Sequence, residues 1–269
     1  MTISSRHNPI VARYRAAAQG DAADRLLLDG AHLVADALAA GMLVREAAVT
    51  ATADEDEELR GLVASLGRAR VEVVTVTTAV MDALSPVRSS SAIVALADRP
   101  ASDGAAVYAG GAALAVIAVD VQDPGNLGAI VRVAEAGGAT GVVAAGACAD
   151  PFSWKALRGS MGSALRLPIA IRSDVEAAVT AARRAGCRLV AATPRGGAPP
   201  FDLQLDGPTA ILIGGEGRGL PHSIMSAADA RATIPMAPPV ESLNAAVTAA
   251  LLVYEARRQR AARKPGPGP

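Results

Sequence analysis

Three loops hold the residue types from which a reaction site could be built. The stretch 234–244, Ile-Pro-Met-Ala-Pro-Pro-Val-Glu-Ser-Leu-Asn, sets Glu241, Ser242 and Asn244 just ahead of a long helical pattern. Pro235, Pro238 and Pro239 cannot lie inside that helix, so they form a stiff loop before it. The polar side chains there meet the free N–H groups of a helix start. Taken alone, this is a capped helix. The stretch 213–220, Ile-Gly-Gly-Glu-Gly-Arg-Gly-Leu, follows an apolar run, and Glu216 and Arg218 alternate with its glycines. So many glycines let the main chain approach another group closely or take positive φ. No Lys-Ser/Thr follows them, so this is not a phosphate P-loop. The third stretch, 120–126, opens a helix carrying Arg132, either a surface residue or one facing a crevice beside Asn126. Gly125-Asn-Leu-Gly128 lacks the G-x-G-x-x-G spacing, and no acidic residue ends the next strand, which disfavours a dinucleotide site. Together the loops offer amides, carboxylates, a hydroxyl and guanidinium groups, the parts of a site that grips and orients a polar substrate.

The elements that must position these loops alternate. From residue 113 on, strands are expected at 114–119, 141–145, 164–171, 188–192 and 209–213, with helices at 127–136 and 175–185. That order predicts a mostly parallel sheet with helices on both faces. Ligands of such sheets bind at the carboxyl ends of the strands, which gathers the three loops. In the last helix, Leu243, Ala246, Val247, Ala250, Leu251 and Tyr254 recur at the spacing of one face. The first hundred residues read as a smaller α/β unit. Its strands are expected at 25–28, 47–50, 71–76 and 92–97, and its helices at 31–40, from 54 on, and at 78–84. No catalytic constellation stands out there. His7, Asn8, Arg13, Arg15 and Arg25, and again Arg88 with Ser89, Ser90 and Ser91, are modest polar and basic groups of a solvated face. The expected layout is 1–100, a linker at 101–112, a second domain at 113–264 and a disordered tail at 265–269.

Composition bounds the class. Of 269 residues 51% are hydrophobic, enough for a real core, and 26 basic residues balance 26 acidic ones. The chain thus has no overall basic footprint for nucleic acid. Aromatics at 2% argue against a base-stacking platform of the RRM or OB type. Nearly all basic residues are arginine, which suits bidentate phosphate contacts but also follows from an alanine-rich, lysine-poor composition. Two lone cysteines, Cys148 and Cys187, fit a reduced compartment. No apolar run reaches the ~18 residues of a membrane span, and the polar start carries no signal-peptide core. The expected location is cytoplasmic.

The three loops resemble the three motifs of the SpoU (TrmH) family, S-adenosylmethionine-dependent RNA ribose 2′-O-methyltransferases of the SPOUT class. The matching residues are Asp120-x-x-x-Pro124-x-Asn126-x-Gly128-x-x-x-Arg132, then 213–220, then Ile234-Pro-Met with Glu241-Ser-Leu-Asn244. Lys155-Ala-Leu-Arg-Gly-Ser-Met-Gly162 is similar to the segment between the family's first two motifs. The likeness covers about 114–260. Gly215 and Thr248 depart from common family residues without removing a named functional group. The N-terminal part, with Asn8-Pro9 and Leu28-Asp29-Gly30, more weakly resembles an RNA substrate-binding domain of the ribosomal L30e type. The resemblance implies a parallel sheet whose C-terminal segment is threaded into a trefoil knot, a rare exception to chain topology. It also implies S-adenosylmethionine held by Gly214, Ile234, Met236 and Leu243 with Thr193 nearby, and a homodimer joined through the C-terminal helix, whose face of Ala245, Ala246, Ala249 and Ala250 allows close packing. Arg132 becomes the catalytic arginine, oriented with the ribose by Asn126, Glu216, Ser242 and Asn244. Arg158, Ser160 and Arg218 are expected on RNA, among local patches that include Lys155 and Arg166.

The implied chemistry needs a ribose 2′-hydroxyl made nucleophilic or its alkoxide stabilised, in line with a sulfonium methyl. An arginine with a pKa above ~12 is an awkward base, so positioning and electrostatic stabilisation weigh as heavily as proton removal. No metal is required. The expected substrate is ribosomal RNA (23S), with tRNA second. A noncatalytic RNA-binding or ribosome-assembly factor on the same scaffold is the rival reading; intact Asn126, Arg132, Glu216, Ser242 and Asn244 speak against it.

Overall fold

The computed structural model describes residues 2–87, 89–102 and 104–263. In chain order the elements are β1 (Thr2–Ile3), α1 (Pro9–Gln19), β2 (Arg25–Asp29), α2 (Ala31–Ala39), β3 (Val44–Thr50), α3 (Glu57–Arg68), β4 (Glu72–Val76), α4 (Thr78–Leu84) and β5 (Ile93–Asp98). There follow β6 (Leu114–Val119), α5 (Pro124–Ala136), β7 (Gly141–Ala145), α6 (Trp154–Ser160), β8 (Ile169–Arg172), α7 (Val175–Arg184) and β9 (Arg188–Ala192). The last are β10 (Thr209–Gly214), α8 (His222–Ala227), β11 (Ala230–Ala232) and α9 (Ala245–Arg263). Two compact units result. One is the chain through Ala101 joined by Phe152–Arg166, the other Ser102–Pro151 with the chain from Leu167 onward.

The first unit is built on a five-stranded sheet, order β1-β4-β3-β5-β2, in which β5 runs antiparallel to β3 and β2. Helix α1 and strand β1 were not expected. The signals for α1 lie at its ends: Asn8 accepts the Ile10 N–H, Pro9 opens the first turn, and Gly20 closes it left-handed. Its interior, rich in alanine and arginine, buries only Ile10, Val11 and Tyr14, too few for a clear apolar stripe. The segment 152–166 folds here rather than with its sequence neighbours, because Trp154 packs on the core of Ile10, Tyr14, Leu27 and Leu84. The basic N-terminal group is largely committed. Arg13 pairs with Glu46, Arg25 with Asp98, and Arg15 donates to the Ala83 carbonyl. Arg88 and the tail 265–269 lie outside the described residues.

The second unit carries the parallel sheet, order β11-β9-β10-β6-β7-β8. Strand β6 is buried at every position, as expected of a central strand covered on both faces. On one face Ala115, Ile117, Val119, Leu189 and Leu212 pack with Ala178, Val179 and Ala182 of α7 and Ile224 of α8. Helices α5 and α9 pack against each other, α5 also on β6 and α9 on β10. The strand expected at 164–171 is shorter and later. Residues 163–165 form a 3₁₀ turn, and Leu167-Pro168 delays pairing until Ile169. Among the described residues no helix is long and apolar enough to cross a membrane.

Helix α9 corrects the reading of its own face. Ala245, Ala246, Ala249, Leu252, Val253 and Ala256 are buried, whereas Val247, Leu251 and Tyr254 are about half exposed. The alanine-rich side closes on α5 within this chain, so it is not the surface left for a second copy.

Candidate active site

Because every strand of the second sheet is parallel, the loops after β6, β9, β10 and β11 leave the same edge. These four strands are neighbours in the order β11-β9-β10-β6. The loops they feed therefore converge.

Asn126 sits in the first turn of α5, where the Asp123 carboxylate caps the helix and accepts the Asn126 N–H at 2.7 Å. Asn244 caps α9, its Oδ1 accepting the N–H groups of Ala246 at 2.8 Å and Val247 at 3.3 Å. Anchoring the oxygen this way leaves Nδ2 to donate, and it donates to Asn126 Oδ1 at 2.9 Å. Asn126 Nδ2 donates in turn to the Glu216 carboxylate. All donors thus point the same way, from the start of α9 to a carboxylate, an arrangement in which each bond strengthens the next. Three loops far apart in sequence are tied into one assembly.

The glycines of 213–220 have a structural cause. A Cβ on Gly214 would stand 2.4 Å from the Gly219 carbonyl carbon, and the Gly219 N–H closes on the Gly215 carbonyl at 3.2 Å. The loop folds back on itself and leaves Glu216 and Arg218 exposed. Arg132, further along α5, is exposed and makes no hydrogen bond or ion pair with another described residue. Ser242 is in the same state, just before the half-buried Leu243.

Beside this assembly, a cavity of about 430 Å³ is lined by Ile234, Met236, Val240 and the prolines 194, 235, 238 and 239, with Arg195 and Glu241 among its walls. That volume suits a small-molecule site. Arg195 and Glu241 form an exposed ion pair at 3.3 Å. Sequence reasoning missed Arg195; its only signal was a lone charge in the loop after β9. Of the residues expected at a cofactor, Ile234 and Met236 line this cavity, while Gly214, Leu243 and Thr193 are not on its walls. The Thr193 hydroxyl is taken by the Arg195 carbonyl at 2.9 Å, where it shapes the loop.

Two expected residues belong to the other unit. Arg158 is exposed on α6 with no bonded partner among the described residues, which suits a phosphate contact. Ser160 does not: it is fully buried and its hydroxyl donates to the Leu157 carbonyl at 2.9 Å. The expectation that Ser160 touches RNA is corrected by that burial. Arg166 pairs with Asp36 at 3.1 Å.

The profile of the SpoU rRNA methylase family matches residues 113–254. The chain belongs to the SpoU rRNA methylase family. A Synechocystis member described as an uncharacterized tRNA/rRNA methyltransferase is 32% identical, over 98% of this chain and 97% of its own. A Bacillus subtilis member, a 23S rRNA guanosine 2′-O-methyltransferase, is 30% identical over 86% of this chain and 88% of its own. Among solved SpoU structures, the methyltransferase AviRb of Streptomyces viridochromogenes, in complex with AdoMet, superposes with a TM-score of 0.85 at 30% identity, covering 96% of this chain and 100% of that one. SpoU membership brings the three loops under one function, since all three fall inside the matched span.

Proposed function

We infer that this chain is an S-adenosylmethionine-dependent RNA methyltransferase that methylates a ribose 2′-hydroxyl, with ribosomal RNA (23S) as substrate. The observation that carries the reading is the hydrogen-bonded chain Asn244–Asn126–Glu216, which unites the three SpoU loops beside a cofactor-sized cavity. The cavity fits the cofactor: Ile234, Met236 and the prolines offer apolar walls for an adenine, and Arg195 and Glu241 offer charge. Gly214 at the end of β10 and Leu243 before α9 lie off the cavity walls, and their part in holding the cofactor rests on the family resemblance alone. Bound there, S-adenosylmethionine supplies an electrophilic sulfonium methyl.

The protein's part is to hold and polarise the ribose. Asn126, Glu216 and Asn244 fix one another and offer remaining lone pairs and N–H groups to the sugar. Arg132 and Ser242, both exposed and unpartnered among the described residues, are available to the incoming nucleotide. Arg132 grips the phosphate beside the hydroxyl and stabilises the alkoxide as it forms, a preorganised electrostatic role. Arg218, at the tip of the glycine loop, meets the backbone. On α6, which folds with the first unit, Arg158 and Lys155 do the same. The path of the chain from β10 past β9 to β11, with α9 returning onto α5, supports a trefoil knot as the device that holds the loops. The free stripe of Val247, Leu251 and Tyr254 supports a homodimer. An RNA substrate sets the reaction in the cytoplasm.

The test is transfer of labelled methyl from S-adenosylmethionine to ribosomal and transfer RNA from a strain lacking the protein, with the label mapped to ribose or base. Ribose label on ribosomal RNA is expected; base label or none would overturn the reading. Arg132→Ala should keep cofactor affinity while methyl transfer falls at least about a hundredfold.

A further inference from the structure

We propose that Asp120, which the reaction scheme above does not use, is the positioning residue that sets the register of the catalytic loops. The inference rests on the methyltransferase reading. Asp120 directly follows β6 with φ +55, one of few non-glycine residues in the left-handed region among those described. Asp and Asn tolerate that conformation better than other side chains, because a short polar group can bond locally. Here the bond is made: Asp120 Oδ1 accepts the Ala147 N–H at 2.7 Å. Its own N–H donates to the Ala145 carbonyl at 3.1 Å. The next residue is held by the same segment. The Val121 N–H donates to Cys148 Sγ at 3.3 Å, and its carbonyl accepts the Ala149 N–H at 2.8 Å. The chain leaving β7 therefore clasps the chain leaving β6 at its left-handed turn.

The third contact ties in β10. A Cβ on Gly215 would stand 2.0 Å from the Asp120 carbonyl oxygen, and one on Gly146 would stand 2.3 Å from Asp120 Oδ1. The Asp120 main chain thus seats directly against the residue before Glu216, and its side chain fills the space beside Gly146. From this one residue the chain departs toward Asn126, while Gly215 carries Glu216 to meet it. A shift at Asp120 moves one partner of the Asn126–Glu216 bond against the other, and an ångström of misplacement there costs about a hundredfold in rate.

The test uses the full chain and three variants. Asp120→Asn keeps both the left-handed preference and an acceptor, Asp120→Gly keeps only the backbone freedom, and Asp120→Ala keeps neither. The expected order of kcat is wild type, then Asn within about threefold, then Gly, then Ala down about a hundredfold. KM for RNA and cofactor affinity should stay within about twofold, a split that general unfolding does not produce. Amide exchange of Ala147 and of residues 121–126, measured without substrate, should quicken in Asp120→Ala and recover in Asp120→Asn. If Asp120→Ala matches wild type in kcat, or leaves that exchange unchanged, the role of Asp120 is lost while the methyltransferase stands. If wild type itself neither binds S-adenosylmethionine nor methylates RNA, the underlying function falls, and this inference with it.

Discussion

Asn126 and Asn244 share a hydrogen bond yet carry different loads. Asn244 caps α9 as well as bonding Asn126, so Asn244→Ala removes a helix cap and the link to the catalytic chain together. Loss of such a cap costs about 0.5–2 kcal/mol. Among the described residues the Asn126 side chain bonds Asn244 and Glu216 and caps no helix, since its helix start is capped by Asp123. We expect both alanine variants to lose methyl transfer, but only Asn244→Ala to lower the midpoint of urea unfolding clearly. Equal midpoints would show that the cap is not what Asn244 supplies. Sequence spacing marked both residues, through the motifs they sit in. It could not pair them, because they lie 118 positions apart and meet only when the start of α9 folds back onto α5.

At the scale of elements, α9 has two jobs divided along its length. Its last turns grip the β9–β10 connection: Gln259 accepts the Leu205 N–H and donates to the Leu203 carbonyl, both at 2.8 Å. The Arg260 guanidinium donates to the carbonyls of Ala112, Ala113, Leu205 and Gly207. Burial pulls its pKa below the ordinary arginine value, the mark of a cation taken partly from water. Arg260→Ala should destabilise the chain by at least about 2 kcal/mol, the scale of charged hydrogen bonds, read from the urea midpoint. Its first turns leave Val247, Leu251 and Tyr254 uncovered. On the proposed homodimer, Leu251→Lys should give a folded monomer in sedimentation with an unchanged helical spectrum, and sedimentation identical to wild type would overturn a dimer through this stripe. The helix itself was plain in the sequence. Its orientation was not, because alanines on both sides blur the contrast that fixes a buried face.

For the molecule as a whole, several ionisable side chains are wholly or partly buried and hold their protons. Burial first, and the Glu46 carboxylate next, push the Tyr14 hydroxyl far above the ordinary tyrosine value of 10.0. Burial likewise raises Tyr108 to about 12, with Cys187 adding to it. It also lifts the Cys148 and Cys187 thiols above 9.0. Each group binds its proton more tightly folded than unfolded. Their stabilisation is complete below about pH 9 and is lost as pH rises through the folded values, because only the unfolded chain ionises easily in that window. Melting temperature should hold between pH 7 and 9 and then fall. Tyr14→Phe, which removes a buried hydroxyl with no hydrogen-bond partner among the described residues, should soften that fall at little cost at neutral pH. A steep acid-side loss with none in alkali would contradict the assignment.

The sequence by itself determined what short-range physics can write. Apolar runs placed β6, β7, β9 and β10 to within a residue, and glycines and prolines marked the loops where chemistry would sit. The motif residues carry the family's signature in the sequence alone. Tertiary structure alone decided the rest. Segment 152–166 joined the first unit because Trp154 finds its apolar partners there, a contact no local pattern encodes. Ser160 left the RNA-facing set because packing buried it. The bond from Asn244 through Asn126 to Glu216 exists because parallel strands deliver distant loops to one edge of a sheet, and strand order is settled by packing across the whole chain.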